Sequence, residues 1–590
     1  MAFPQRRVAR TASLPSPIGG WNARDSLAEM NPIDAVEMVN FFPTPTDILM
    51  RKGYSQHSGG INGSVDTLMN FAGPTSQTLF AVANGVIYDT ATSTATSVYT
   101  GLSNSRFQHA NFTNSAGDPF LSAVNGQDPA LLYNGTDWIK VAATGTAQTI
   151  STITRGGTGN LTATLTTAVA HGLVTGNQVT ISGAVESNYN GTYLITVTGA
   201  TTFTYVMATA PTLDASVVGT YTVVHAITGV NSNSFINVNV FKERLFYVEK
   251  NSMNVWYLNT KAVSGAASQL DFGSVAKMGG FIQAMGTWTI DAGQGVDDYA
   301  VFVTNMGEVI VYEGTDPSDV ATWALRGVWQ LGQTFSRRCF AKFGGDLLLI
   351  TQEGLVPLAA SLQSSRLDPR VNLTDKIYGA FAQATGLYST NFGWEIQYFA
   401  KANMLIVNIP TNIGFEQYVM NNITKSWGRF TGIPATNFEI HNENIYFGGN
   451  GFVGKFWDTF ADNGNVINAT VQQAYNYFDS RGQNKRYTMV RPIFLTDNGL
   501  PSVLCAINTD FDTQSQLGQV AFNPTALTVG VWDLATWDNN YWGGTLAVNK
   551  DWQGVSGIGY CASISLNVAA KGIEVHWAST DFVMEAGGVI

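Results

Sequence analysis

The stretch YAVFVTNMGEVIVYEG, Tyr299–Gly314, reads as two short apolar strands around a polar turn, with an aromatic residue at the end of the second. Val, Ile, Phe and Tyr favour a pleated, packed surface, and Asn-x-Gly between two apolar runs marks a tight reversal. The same unit recurs along the chain. DTLMNFA and QTLFAVANGVIYD, DPALLYNGTDWIKV, RLFYVEKNSMNVWYL, GDLLLITQEGLVPL, NMLIVNIP with QYVMNNITKSWGRF, and ENIYFGGNGFVGKFWD all follow it. Their apolar strands begin near residues 79, 131, 244, 300, 347, 404 and 445. With one insert removed, the spacings run from about 40 to 60 residues, the period of β-propeller blades. The expected fold is therefore all-β, a propeller-like core of repeated hairpins. Seven units are visible and five to eight blades are expected.

Composition agrees. Of 590 residues, 45% are apolar, 12% aromatic and 60 are Gly, while only 12% are charged. That is about half the ~25% charge of ordinary soluble domains. The balance excludes a disordered chain, which is rich in charge and poor in aromatics. It also excludes a helical array, which would be rich in Ala, Glu, Lys and Arg. Low charge further favours surface covered by other subunits. The net charge of −11 argues against a basic stripe that grips nucleic acid.

Around the repeats the chain divides into five segments. Residues 1–60 read as an extended arm and a short helix over NPIDAVEMVNFFP, begun by Asn31-Pro32 and ended by Pro43 and Pro45. Residues 61–146 hold the first blades. Residues 147–228 are a Thr/Gly-rich inserted β-domain, with strict alternation in TYLITV and TFTYVM and a turn at Asn190-Gly191. Residues 229–460 hold the remaining blades. Residues 461–590 are a β-rich region expected to close the propeller, including the Trp-dense stretch Trp532–Trp542. The N-terminus has no apolar core of a secretory signal, and no uninterrupted apolar run is long enough to span a membrane.

Motifs for chemistry are sparse. The six histidines show no metal-ligand spacing, and Cys339, Cys505 and Cys561 lie far apart with no CxxC. Gly156-Gly157-Thr158-Gly159 lacks the strand–helix context of a nucleotide loop and reads as a turn. Carboxylate pairs at Asp297-Asp298 and Asp510/Asp512 are candidates for glycosidase-type chemistry, with other carboxylates open, and turn caps are the plainer reading. Asp462–Thr470 carries oxygen ligands without EF-hand spacing. Basic residues cluster at Gln5–Arg10, Arg51-Lys52, Arg337-Arg338, and Arg481–Arg486 with Arg491. These read as solvated turns or salt bridges, with transient phosphate contact as the alternative. No catalytic, cofactor-binding or metal-binding residue is assigned, and no enzymatic activity is expected.

The opening segment GGWNARDSLAEMNPIDAVEMVNFFPTPTDILMRKGY, Gly19–Tyr54, resembles that of podovirus-type bacteriophage tail nozzle proteins, the tail tubular protein B family. The matching residues are Gly19, Gly20, Asn22, Asp25, Met30, Pro32, Ala35, Asn40, Pro43, Arg51 and Gly53. The insert's AHGLVTGNQVTISGAVESNYNGTYLITV resembles a small β-domain of phage virion proteins, and the end, IEVHWASTDFVMEAGGVI, resembles nozzle C-termini. The resemblance implies a structural virion protein, assembled in the host cytoplasm into a short tail. It implies a homo-hexamer docked on a tail adaptor ring beneath the portal. Double-stranded DNA would be retained by its channel and then conducted through it. Tail fibres or spikes and the host cell surface are further expected contacts. Six copies would carry about −66 in all, and a negative lumen would limit sticking to DNA by like-charge repulsion. The alternatives are a receptor-binding or fibre-docking protein, or a glycan-degrading virion enzyme.

Overall fold

A computed structural model describes residues 9–145, 147–291, 296–361, 371–497, 499–512, 518–520 and 546–587. It is 55% strand and 6% helix. Contacts group the chain into two units: a central one, Ser58–Thr351 with Leu358–Ser365, and a terminal one, Met1–His57, Gln352–Pro357 and Arg366–Ile590.

The central unit holds a four-blade propeller-like arrangement. Blade 1 pairs the later part of the strand Tyr54–Ala72 with Gln77–Ala83, Val86–Asp89 and Thr96–Tyr99. Blade 2 is Gln108–Thr113, Pro119–Val124, Leu131–Tyr133 and Trp138–Lys140. Blade 3 is Phe235–Phe241, Arg244–Glu249, Asn254–Tyr257 and Ser268–Asp271. Blade 4 is Ile282–Asp291, Val296–Thr304, Glu308–Gly314 and Trp323–Gln330. Every step within a blade is antiparallel, and chain order is sheet order.

Stacked sheets explain the apolar runs. Phe80, Val82, Leu121 and Trp138 fill the space between blades 1 and 2. Phe112, Phe120, Phe235 and Tyr247 do so between blades 2 and 3, and Phe246, Tyr257, Met285 and Phe302 between blades 3 and 4. A strand covered on both faces has no solvent side, so Ala300–Val303 are all 0% exposed and polar alternation disappears there. The hairpin turns take the left-handed conformation their two-residue loops require. Asn84-Gly85 does so with φ of 47° and 75°, and Lys242-Glu243 with 45° and 57°.

The blade count is a correction, since five to eight blades were expected. The hairpins near residues 404 and 445 lie in the terminal unit. There Glu395–Phe399, Met404–Pro410, Phe415–Asn421 and Trp427–Phe430 form part of a ten-stranded sheet that continues into Asp34–Val39, Ile467–Gln473, Ala562–Ala570 and Ser502–Thr509. Hairpin spacing reports the local unit and not which sheet the unit joins.

The insert is a compact β-domain within the central unit. Its seven strands run between Gln148 and Val223 and enclose Ile153, Leu165, Val179, Tyr189, Phe203 and Tyr221.

The helix expected over residues 31–43 is absent. Asp34–Val39 and Phe41–Pro43 are strands. Asn31-Pro32 is a valid helix start, but the backbone of Asp34–Val39 pairs with Gly20–Trp21 on one side and Ile467–Gln473 on the other. Sheet partners distant in sequence override the local cap. The expected arm is a strand from residue 9 onward, since Ala9–Pro15 lies antiparallel on Val575–Ala586, Ala9 opposite Glu585.

Candidate functional site

The strongest constellation in the terminal unit is built by the residues of the opening motif. Gly20–Trp21 runs parallel to Asp34–Val39, with Gly20 beside Asp34. Gly19 has no room for a side chain, since a Cβ there would stand 2.1 Å from Asp34 Oδ1. Gly20 adopts φ 79°, and a Cβ there would stand 2.5 Å from the Trp427 carbonyl. The glycines thus bring the backbone against a buried carboxylate. Asn22 Nδ2 donates to Asp34 Oδ2 at 2.8 Å and to Asp25 Oδ2 at 2.9 Å. Asn22 Oδ1 accepts from the Arg24 and Asp25 amides, closing a local turn. Lys376 Nζ donates to Asp34 Oδ1 and to the Gly19 carbonyl, both at 2.6 Å. Arg24 bridges Asp25 and Asp375. The Arg24 hydrogen bond, then that of Asn22, holds the Asp25 carboxyl down at about 2.

Beyond this cluster, Asn40 sits at φ 58° and sends the chain from one strand into the next. Its Oδ1 accepts from Arg51 Nε at 2.9 Å and from the Thr431 amide at 2.8 Å. Its Nδ2 donates to the Asn468 carbonyl at 2.7 Å. Arg51, 1% exposed, makes a bidentate pair with Asp462 at 2.7 and 2.6 Å. Gly53 follows where a Cβ would stand 2.0 Å from the Ala461 carbonyl. Met30 and Ala35 are buried. Pro32 and Pro43 offer carbonyls to Gln473 and Asn421. Most motif residues therefore serve a latch of two clusters, around Asp34 and around Arg51, that ties residues 19–53 to the later part of the terminal unit. The latch borders an open groove of ≈ 530 Å³.

Other candidates from the sequence have structural partners. Arg51 is buried against Asp462 and is closed to phosphate. The same pair occupies the carboxylate that begins Asp462–Thr470. Asp298 accepts from Lys242 at 2.6 Å and Thr289 at 2.8 Å. Asp510 accepts from the Tyr560 and Cys561 amides. Arg491 pairs with Asp581 at 2.6 Å and lies over the Trp552 ring. Arg481 meets Glu29 at 3.2 Å, and Lys485 Nζ donates to three carbonyls. Gly157 and Gly159, at φ 71° and 69°, form the turn between two insert strands. The three cysteines are buried free thiols, and burial pushes Cys339 and Cys505 up to about 12. Among the described residues no His/Cys/Asp/Glu group could hold a metal ion. Residues Gln5–Val8 and Trp532–Trp542, and the Asp297 side chain, lie outside what the structure describes.

Sequence reading missed one charged group. His576 Nδ1 is 3.0 Å from Asp47 Oδ2, and its Nε2 is 3.1 Å from Glu574 Oε1. Burial opposes the charged imidazole, but the hydrogen bonds to the two carboxylates outweigh it and raise its pKa. Only the β register places Asp47 beside a residue more than five hundred positions away; no spacing signals it.

No family model matches the chain, and no curated protein matches it. Among solved structures, the chain is similar to the β-propeller domain of Cps50 (Swd1) of Myceliophteria thermophila at 10% identity and TM-score 0.26, over 70% of this chain and 100% of that one. It is also similar to YCF48 bound to D1 peptide, at 9% identity and TM-score 0.24, over 72% of this chain and 98% of that one. The N-terminal part of BBS1 in complex with ARL6 stands at 9% identity and TM-score 0.24, over 70% and 99%. The fold rests on the sheets and cores described above.

Proposed function

We propose that this chain is a structural subunit of a short bacteriophage tail, a nozzle protein that forms a hexameric channel, retains the packaged genome and conducts it during ejection. The observation that carries the reading is the latch. Most of the residues that resemble the nozzle opening take part in its hydrogen bonds and tight backbone contacts. Within the motif, Asn22 bonds Asp25 and Asn40 bonds Arg51. The low charge and acidic balance are compatible with wide subunit contacts and a lumen to which passing DNA does not stick. Under this reading the protein positions and gates by shape and performs no bond-breaking step.

The test is electron microscopy of the full chain mixed with the tail adaptor ring of its virion, or of the virion itself. Six copies around an axial opening at the tail tip are expected. Three-fold or peripheral copies away from the DNA axis would overturn the reading in favour of a receptor-binding protein.

A further inference from the structure

Where the insert joins the blades, the chain passes twice through a buried junction. Ala142 and Ala226 belong to the core of the insert, while Val141 and Ile227 belong to the core between blades 2 and 3. The two passages are tied side by side. The Ala142 amide donates to the His225 carbonyl and the Ile227 amide to the Ala142 carbonyl, both at 3.0 Å. On its other side the second passage pairs with Gly265–Ala266. His225 therefore stands at the crossing from one core to the other.

Its side chain does not match that place. The ring meets Phe120 edge to face, with centroids 5.6 Å apart. Its Nδ1 is shielded from water and has no hydrogen-bond partner among the described residues. The elements around it supply no counter-charge. Pro119–Val124 and Gly265–Ala266 carry no ionisable side chain. Lys140 Nζ lies over the Tyr99 ring, Asp118 accepts from Asn114, and the Tyr221 hydroxyl donates to Gln148. Burial lowers the pKa of His225, with no charged neighbour acting on it. The neutral ring fits this site, because it can leave Nδ1 without a proton. The imidazolium is a donor at both nitrogens, and its Nδ1–H would be buried with neither an acceptor nor water. To hold the second proton the ring has to turn out to solvent, and the backbone that carries it is the junction itself.

We propose that His225 is an acid-sensitive pin, whose protonation opens the junction at Ala142 and Ile227 and loosens the insert on the blades. The inference is independent of the tail reading, since it rests on this junction alone. A histidine with a depressed folded value contributes stability above the ordinary value of ~6.5, and the contribution fades as pH falls through the folded value. Amide hydrogen exchange of the full chain, corrected for the intrinsic rate at each pH, reads the opening. Protection of the peptides that hold Ala142 and Ile227 should fall by up to about tenfold per pH unit below ~6.5, the limit for one linked proton. The peptide holding Ala300–Val303, in the core of blade 4, should keep its protection. His225→Phe keeps a ring against Phe120 and takes no proton, so its junction should stay protected over the same range. Exchange of the imidazole C2 hydrogen in the native chain gives the midpoint of His225 itself, without a variant, and should place it below the ordinary value. Junction protection that is level with pH in the native chain, or that falls equally in His225→Phe, overturns the proposal. A midpoint at or above the ordinary value does so as well.

Discussion

Arg51 shows how much one residue carries. Its guanidinium is satisfied by Asn40, Thr431, Lys52 and Asp462, and it is 1% exposed. Removing it leaves the Asp462 carboxylate shielded from water without its partner. Arg51→Ala should therefore cost about 3–5 kcal/mol, read by chemical denaturation. Gly53→Ala meets the Ala461 carbonyl rather than a movable side chain. It should destabilise by about 1–3 kcal/mol through overpacking alone. His576 gives a pH signature. Its folded pKa is raised, so its contribution is full below the ordinary histidine value and fades as pH rises through the folded one. Asp47 is lowered chiefly by its hydrogen bond to His576 against burial, so its contribution is present above the ordinary carboxylate value and fades as pH falls. The pair should stabilise most between about pH 4 and 6.5. His576→Gln should flatten the melting temperature across neutral pH; a profile identical to the native one would exclude the pair as its source.

Among the elements, two make opposite predictions. Ala9–Pro15 covers one edge of Val575–Ala586. Deleting residues 1–15 uncovers that edge and should lower the melting temperature and promote association, measured by light scattering. The insert should be dispensable. Its two ends are already joined, since the Ala142 amide donates to the His225 carbonyl and the Ile227 amide to the Ala142 carbonyl, both at 3.0 Å. It also has its own core. Replacing residues 147–224 by a short Gly/Ser link keeps both bonds and should leave the melting of the remainder nearly unchanged, because closing a loop between adjacent ends costs little. These elements also show what the sequence made legible. The alternating insert strands and the Asn84-Gly85 turn carry their own signals. Asp34–Val39 does not, because its helix-like start is local while its partners at residues 20 and 473 are remote.

At the scale of the whole molecule, each unit contains a hydrophobic cluster, one around Phe430 and Phe447 and one around Phe235 and Tyr247. Calorimetric unfolding should then resolve into more than one transition. Arg51→Ala should shift only the transition of the terminal unit, and a uniform shift of every transition would show that the units unfold as one. By itself the sequence determined that this protein is all-β, that its elements are short hairpins, and that one β-domain interrupts them. Those properties follow from residue type and period within a few positions. Only the tertiary structure decided which hairpins form the four blades, which joins a ten-stranded sheet and which fall in other sheets. It alone laid Ala9–Pro15 along Val575–Ala586 and set Arg51 on Asp462. Each depends on backbone pairing and charge between residues far apart in sequence, which no local pattern encodes.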